Sequence, residues 1–142
     1  TKVFQKNKIE FYDDYAHHPT EIKSVLNGVK KISGKRKIIS VFQPHRYSRL
    51  KNLKKEFLSC FAKADRVILC PVYSAGEKKD KKYNELKFAK LISKYSRAEV
   101  IIIKNEDDLT RYFKRNLINN EIVIGMGAGS ISKWMRSLKN NL

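Results

Sequence analysis

Apolar stretches of two kinds alternate along this chain, and this alternation constrains the fold more than any other feature of the sequence. Five short β-rich runs are each followed by a segment in which apolar residues recur at helical spacing. The β-rich runs are 8–12, 37–43, 66–72, 99–103 and 121–125. Five strand-then-helix units in succession predict an α/β fold, with a Rossmann-like and mostly parallel sheet and helices on both of its faces.

The helical segments carry apolar stripes that mark their buried faces. Pro19 suits the first turn of the first helix, where Glu21 favours the positive end of the helix dipole, and Asn105 is expected to cap the fourth helix. With 142 residues, and with neither an internal repeat nor a Ser/Gly-rich linker, residues 1–142 predict a single domain. The stripes are Ile22, Val25, Leu26, Val29 and Ile32; Leu50, Leu53, Phe57, Leu58 and Phe61; Leu86, Phe88, Ala89, Leu91, Ile92 and Tyr95; Leu109, Tyr112, Phe113 and Leu117; and Ile131, Trp134, Met135 and Leu138.

The net charge of +17 comes mostly from Lys residues spread along the whole chain. Such a charge can bind nucleic acid, but no aromatic-interleaved RNA-binding signature or zinc-finger spacing accompanies it, so we expect no nucleic-acid partner. No apolar run approaches the ~20 residues of a membrane span, and the first residues do not resemble a signal peptide, so we expect a cytoplasmic protein. Cys60 and Cys70 lack metal-ligand spacing and are expected to be buried free thiols.

All three histidines and most of the unusual polar clusters follow predicted strands. The motifs DDYAHHP, QPHRYSR, VYSAGE and GMGAGS follow the first, second, third and fifth strands. In an open parallel sheet, ligands bind at the carboxyl edge, where all of these loops open. The sequence therefore predicts that four motifs from distant positions converge on one site.

Each motif taken alone allows a plainer interpretation. The residues before Pro19 could only cap the turn into the first helix, and Arg46 and Arg49 could form surface salt bridges. Two guanidiniums three positions apart could instead hold one carboxylate or phosphate. The glycines of GMGAGS allow close backbone approach at a helix N-terminus, which favours an anion, although the motif is not a dinucleotide fingerprint.

Taken together, the motifs resemble those of the UDP-N-acetylmuramate–L-alanine ligases, a branch of the Mur ligase family. The matching segments keep the family's order and approximate spacing, and KVFQ at 2–5 resembles its junction between central and C-terminal domains. They are DDYAHHPTE at 13–21, FQPHRYSR at 42–49, VYSAGE at 72–77 and GAGSIS at 127–132. The resemblance implies a C-terminal, amino-acid-binding domain, without the family's N-terminal UDP-binding and central ATP-binding domains.

The resemblance also implies a reaction of peptidoglycan synthesis. Ligases of this family use ATP, assisted by Mg2+, to phosphorylate the muramate carboxylate, and the amine of L-alanine then attacks the acyl phosphate. The chain contains no GKT or GKS phosphate loop, so we expect the isolated domain to be inactive and to hold no metal by itself. The implied substrates are UDP-N-acetylmuramate, L-alanine and ATP, and the implied partners are the other domains of the same polypeptide.

Individual residues receive roles from the same resemblance. Asp13, Asp14 and Tyr15 are expected to contact the nucleotide, and His17 and His45 are the catalytic candidates. An Arg would serve as counter-ion to the alanine carboxylate, but the sequence does not decide between the two available. The expected alanine pocket is lined by Tyr15, His17, His45, Arg46, Arg49, Ala75, Gly76, Gly127, Ala128 and Ser130.

Two alternatives stay open on the sequence alone. The first is the related ligase that joins a tripeptide to the same sugar and shares DDYAHHP, although the segment HRYSR favours the L-alanine enzyme. The second is a non-catalytic basic module whose charge attracts an anionic partner such as a nucleic acid.

Overall fold

One six-stranded sheet organises the computed structural model of the chain, which describes residues 1–117 and 119–142. The strands are β1 (Lys2–Lys6), β2 (Ile9–Asp14), β3 (Ile38–Phe42), β4 (Arg66–Leu69), β5 (Glu99–Ile102) and β6 (Ile122–Met126). Their order across the sheet is β1-β2-β6-β3-β4-β5. Strand β1 is antiparallel to β2, and every other neighbouring pair is parallel.

Helices cover both faces of this sheet. They are α1 (Pro19–Ser33), α2 (Tyr47–Asn52), α3 (Lys54–Ser59), α4 (Glu85–Ser96), α5 (Glu106–Asn116) and α6 (Ile131–Asn141). One apolar core packs α1 to α4 against one face, and a second core packs α5 and α6 against the other. The predicted α/β class, with a mostly parallel sheet covered on both faces, is therefore confirmed.

Strand β1 corrects the sequence-based prediction, which has no strand before residue 8. In its run KVFQK, the main residue that packs on the core is Phe4, whose ring is stacked on that of Phe11 with centroids 4.2 Å apart. A single core residue is too weak a pattern to predict a strand from the sequence. Pairing creates the strand instead, because Lys6 lies opposite Ile9 across a tight turn in which Asn7 has a φ of 56°. Asn is one of the residues that tolerate this backbone region in a hairpin.

The second predicted helix is also corrected, because the structure divides it into α2 and α3 at Leu53. The backbone of Leu53 has φ −117° and ψ 24°, outside the helical range, although its N–H still donates to the carbonyl of Arg49 at 3.0 Å. The bend brings the rings of Phe57 and Phe61 to 5.6 and 5.1 Å from that of Phe42 on the sheet. Packing against the sheet thus overrides a continuous helical pattern.

Some residues of the predicted apolar stripes lie outside the core. Ile32 is exposed in the last turn of α1, and Leu86 and Tyr95 are exposed near the two ends of α4. Cys60 and Cys70 are buried free thiols, as predicted, and burial raises the pKa of the Cys60 thiol to about 12. No helix in the described ranges is both long and apolar enough to cross a membrane.

A carboxylate on β2 ties the first strands to the segment that follows α1. Glu10 accepts hydrogen bonds from Arg36 at 2.5 Å and from Tyr12 at 3.0 Å, and it lies 3.0 Å from the ammonium of Lys2. The bonds from Arg36 and then Lys2 lower the pKa of Glu10 from 4.5 to about 2. Because the folded-state pKa is depressed, this stabilisation is present above pH 4.5 and is lost as the pH falls towards 2.

We therefore expect Glu10→Gln to destabilise the domain by about 1 kcal/mol at pH 7, since the pair is partly solvated, and by much less near pH 2. Urea unfolding at the two pH values measures the difference, with Glu56→Gln on the exposed side of α3 as the matched control. Equal destabilisation by Glu10→Gln at both pH values would contradict the assigned role of the charge.

Candidate functional site

Four loops that carry the polar motifs meet at the carboxyl edge of the parallel strands. They are residues 13–18, which include the end of β2, residues 43–49, which follow β3 and include the start of α2, residues 71–77 after β4 and residues 127–130 after β6. Because β6 lies between β2 and β3, and β4 lies next to β3, these loops are neighbours in space. This is the edge at which open α/β sheets bind ligands.

A row of aromatic and imidazole rings joins three of the loops. The ring of His17 lies 5.1 Å from that of Tyr15 and 5.8 Å from that of His45. The ring of His45 is in turn stacked on Tyr73, with centroids 5.6 Å apart and an angle of 17° between the planes. Tyr15 is 70% exposed, so one end of the row is open to a ligand or to another domain.

The electrostatics of His45 favour a neutral imidazole. Its pKa is lowered by partial burial first, and then by the positive charge of Arg49 and the nearby His17 and Arg46. The Nη1 atom of Arg49 lies 3.4 Å from Nδ1 of His45. A guanidinium can only donate, so this contact requires Nδ1 to accept and places the ring proton on Nε2. The structure thus sets a cation beside a neutral imidazole.

We expect NMR titration of the 142-residue chain to give His45 a pKa below its ordinary value of 6.5. In Arg49→Gln the pKa of His45 should rise towards that value, because the adjacent positive charge is gone. The exposed Arg115→Gln on α5 is the matched control and should leave it unchanged. A His45 pKa that stays the same in the Arg49 variant would contradict the proposed electrostatic contact.

Backbone hydrogen bonds fix the loop that carries Arg46. Its N–H donates to the carbonyl of Tyr73, and the N–H of Tyr73 donates to the carbonyl of Pro44, both at 2.8 Å. Arg46 has a φ of 72° and ψ of 134°, a region that side-chain-bearing residues rarely adopt. Strain of this kind is retained where the surrounding structure enforces it, and it is concentrated at functional sites.

The start of α2 is held by a residue that the sequence did not single out. Glu77, in the loop after β4, accepts a hydrogen bond from the Ser48 hydroxyl at 2.5 Å and one from the Ser48 N–H at 3.3 Å. The first of these bonds is the main cause of a lowered pKa for Glu77. Ala75 and Gly76, predicted in the pocket, have positive φ values and form the turn that presents Glu77.

Gln43 links the loops after β3 and β6 and was likewise not predicted. Its buried side chain donates to the Ser130 hydroxyl at 2.8 Å and accepts from the Ile131 N–H at 3.0 Å. A Cβ on Gly129 would lie 2.5 Å from the Tyr73 ring and 2.8 Å from Gln43 Oε1, so this position has no room for a side chain. The Ile131 N–H, at the start of α6, was expected to be available to an anion. It is instead bonded to the side chain of Gln43.

The two neighbouring aspartates face in different directions, as alternation along a strand requires. Asp13 accepts a hydrogen bond from the Ser132 hydroxyl at 2.5 Å and lies 3.9 Å from Arg136, so it contacts α6. Asp14 accepts from the N–H of Ala16 at 2.8 Å and lines a groove with Val25 on the opposite side of the sheet. Contact of both carboxylates with one nucleotide thus stays a prediction, and Asp14 is the less engaged of the two.

The two adjacent histidines have different local roles. His18 is the N-cap of α1, because its ring accepts from the N–H of Thr20 and Glu21 bonds back to its N–H. His17 places Nδ1 3.0 Å from the carbonyl of Tyr15. Since a carbonyl only accepts, Nδ1 must carry a proton, which leaves Nε2 of a neutral His17 free to accept one. His17 therefore keeps one free ring nitrogen in this tautomer, whereas the ring of His18 caps a helix.

The chain as a whole matches one family of known proteins. A family model described as "Mur ligase, glutamate ligase domain" matches residues 1–129. The UDP-N-acetylmuramate–L-alanine ligase of Pelagibacter ubique (strain HTCC1062) is 50% identical over 137 residues, which are 96% of this chain and 30% of that protein. The chain belongs to the Mur ligase family. Within that family it corresponds to the C-terminal domain.

Solved structures carry the same fold as this Mur ligase domain. The UDP-N-acetylmuramate-alanine ligase of Thermotoga maritima matches with a TM-score of 0.67 and 26% identity, over 99% of this chain and 28% of that one. A separately crystallised domain of a putative UDP-N-acetylmuramate:L-alanyl-gamma-D-glutamyl-meso-diaminopimelate ligase from Haemophilus ducreyi matches with a TM-score of 0.72 and 20% identity, over 99% and 96%. The second likeness shows the fold alone, and that such a domain crystallises by itself. This chain spans about 30% of the length of the L-alanine ligases that it matches.

Proposed function

We propose that this Mur ligase domain binds L-alanine for an ATP-dependent ligase that joins it to UDP-N-acetylmuramate, in the cytoplasmic steps of peptidoglycan synthesis. The observation that carries the proposal is the contact of Arg49 with a neutral His45 at the carboxyl edge, in a chain 50% identical to a named L-alanine ligase. The guanidinium suits the alanine carboxylate. The neighbouring imidazoles suit the amine, which must lose a proton before it attacks an acyl group.

His17 is the better-placed proton acceptor of the two imidazoles. Its Nε2 is unprotonated in the tautomer that the Tyr15 carbonyl selects, whereas His45 uses its free lone pair to accept from Arg49. The Arg49 contact is long, at 3.4 Å, so the guanidinium can turn to a carboxylate at little cost. That movement would leave His45 as a neutral ring between the alanine and Tyr73.

The nucleotide and metal belong mainly to the rest of the polypeptide. In the 142-residue sequence there is no GKT or GKS loop for phosphates, and the described residues hold no cluster of three His, Cys, Asp or Glu side chains suited to a metal. No residue here is therefore assigned to Mg2+. Asp14 and the exposed Tyr15 are the groups placed to contact ATP held by a neighbouring domain, so the isolated domain should bind ATP weakly.

The test is substrate-dependent phosphate release by the full-length ligase and by the isolated domain. The full-length protein should release phosphate from ATP only with UDP-N-acetylmuramate and L-alanine together, and mass spectrometry should find the amide product. The isolated domain should release none above a blank. Activity with an L-alanyl tripeptide in place of L-alanine would overturn the substrate assignment and support the tripeptide ligase instead.

A further inference from the structure

A groove separate from the histidine row runs between α2, α4 and the loop that precedes α4. It has a volume of about 380 Å3, within the ~300–1,000 Å3 typical of small-molecule sites. Its floor is apolar and aromatic, and four lysines stand around it. The floor residues are Tyr47, Leu50, Tyr83, Phe88 and Leu91, and the lysines are Lys51, Lys54, Lys82 and Lys87.

The lysines have no acidic partner within residues 1–117 and 119–142, since none of them forms a salt bridge there. The lining also includes one carboxylate, Asp80, and one amide, Asn84, so its side chains carry four positive charges against one negative charge. Asp80 accepts from the N–H of Lys82 at 2.9 Å, and Asn84 caps α4 by accepting from the N–H of Lys87 at 3.0 Å. An anion in the groove would therefore meet several unpaired ammonium groups.

The chain segment that contains the groove is also strongly basic. Residues 46–97 contain 15 Lys and Arg but only 5 Asp and Glu, a net +10 of the total +17. A surface of one sign attracts ligands of the opposite sign and raises their local concentration. Most of the unexplained charge of the chain thus lies on the segment that forms the groove.

Tyr83 forms the centre of an aromatic cluster that lines the groove. Its ring packs edge-on against Tyr47 and Phe88, with centroids 5.7 and 6.0 Å away. Its hydroxyl is buried and has no hydrogen-bond partner in the described part of the chain. Because the hydroxyl is covered, Tyr83 contributes its ring and not a hydrogen bond to the groove.

We propose that this groove binds a small amphiphilic anion, in which an apolar ring system or short alkyl chain is joined to a phosphate, sulfonate or carboxylate group. The apolar body would lie on Leu50, Phe88 and Leu91, and the anionic group would lie among the lysines. The inference goes beyond the proposed function, because the groove includes neither His17, His45 nor either arginine of the proposed alanine pocket. A ligand there would pack against α2, which begins directly after Arg46.

The test uses 8-anilinonaphthalene-1-sulfonate as the probe and the 142-residue chain, since a domain of this fold crystallises by itself. Dye fluorescence should rise on binding in about 0.15 M salt, and NMR shifts should locate the dye at residues 47–54 and 82–91. Lys51→Gln with Lys87→Gln should weaken binding about tenfold. Leu91→Trp, which fills the groove and keeps its charge, should also weaken binding.

The matched control is Lys133→Gln with Lys139→Gln on α6, at the opposite face of the sheet, which should leave dye affinity unchanged. Circular dichroism melting of each variant separates lost binding from lost folding. Dye shifts outside the groove, or equal affinity for the uncharged N-phenyl-1-naphthylamine, would overturn the proposal. So would a single-stranded oligonucleotide that binds more tightly than the dye and depends on the same lysine pair, because the surface would then be a nucleic-acid site.

Discussion

Replacing Arg49 with alanine in the full-length ligase should raise the Michaelis constant for L-alanine roughly tenfold to over a hundredfold, because a charge-assisted hydrogen bond contributes about 1.5–3 kcal/mol. The Michaelis constant for ATP should change little, because the nucleotide phosphates are held elsewhere. Arg49 is half-buried against His45, so its charge is less screened than that of a fully exposed side chain.

Steady-state kinetics with each substrate varied in turn measures this effect. Arg49→Lys should give an intermediate loss, because Lys keeps the charge but not the planar fork that fits a carboxylate. Arg115→Ala, exposed near the end of α5 on the other face, is the matched control and should behave as wild type. Unchanged alanine kinetics in both Arg49→Ala and Arg46→Ala would refute the pocket.

The structure gives a reason to rank the two arginines, which the sequence does not. Arg46 is exposed, and its backbone, not its side chain, makes the contact with Tyr73. Arg49 lies in the first turn of α2, and its side chain contacts His45, a predicted catalytic residue. We therefore expect Arg46→Ala to raise the alanine Michaelis constant less than Arg49→Ala does.

The alternation of apolar patterns was enough to predict the sheet, because parallel strands buried on both faces read as continuous apolar runs. Strand β1 could not be predicted in this way, because this edge strand has no apolar run and forms by pairing with β2. The only local signal for it was Asn7 in the turn between the two strands. The break between α2 and α3 at Leu53 could not be predicted either, because Leu53 is neither Gly nor Pro. It follows from packing against the sheet, which the local sequence does not show.

At the site, the sequence predicted which loops would meet but not how they are joined. Gln43, Tyr73 and Glu77 act through contacts with residues 27 or more positions away, which no local pattern encodes. The opposite directions of the Asp13 and Asp14 side chains could have been predicted from the alternation of side chains along a strand. Asp13 shares the strand face of Phe11, which packs in the core of α5 and α6.

The second large effect concerns proton transfer. In the full-length ligase, His17→Asn should lower kcat by about a hundredfold or more, the range for loss of a general base. Asn can keep a donor near the position of Nδ1, which bonds the Tyr15 carbonyl, but it has no basic atom to replace Nε2. The matched control is His18→Asn, because Asn is a good N-cap and should preserve the start of α1.

Single-turnover measurements at saturating L-alanine report the chemical step apart from product release, and rescue by an added base separates proton transfer from positioning. In His17→Asn added imidazole should restore part of the lost rate, because it supplies the missing proton acceptor. If His17→Asn instead keeps a near-normal rate, the acceptor is another group. The same measurements on His45→Asn then decide whether the neighbouring imidazole, once Arg49 has turned to the carboxylate, performs this step.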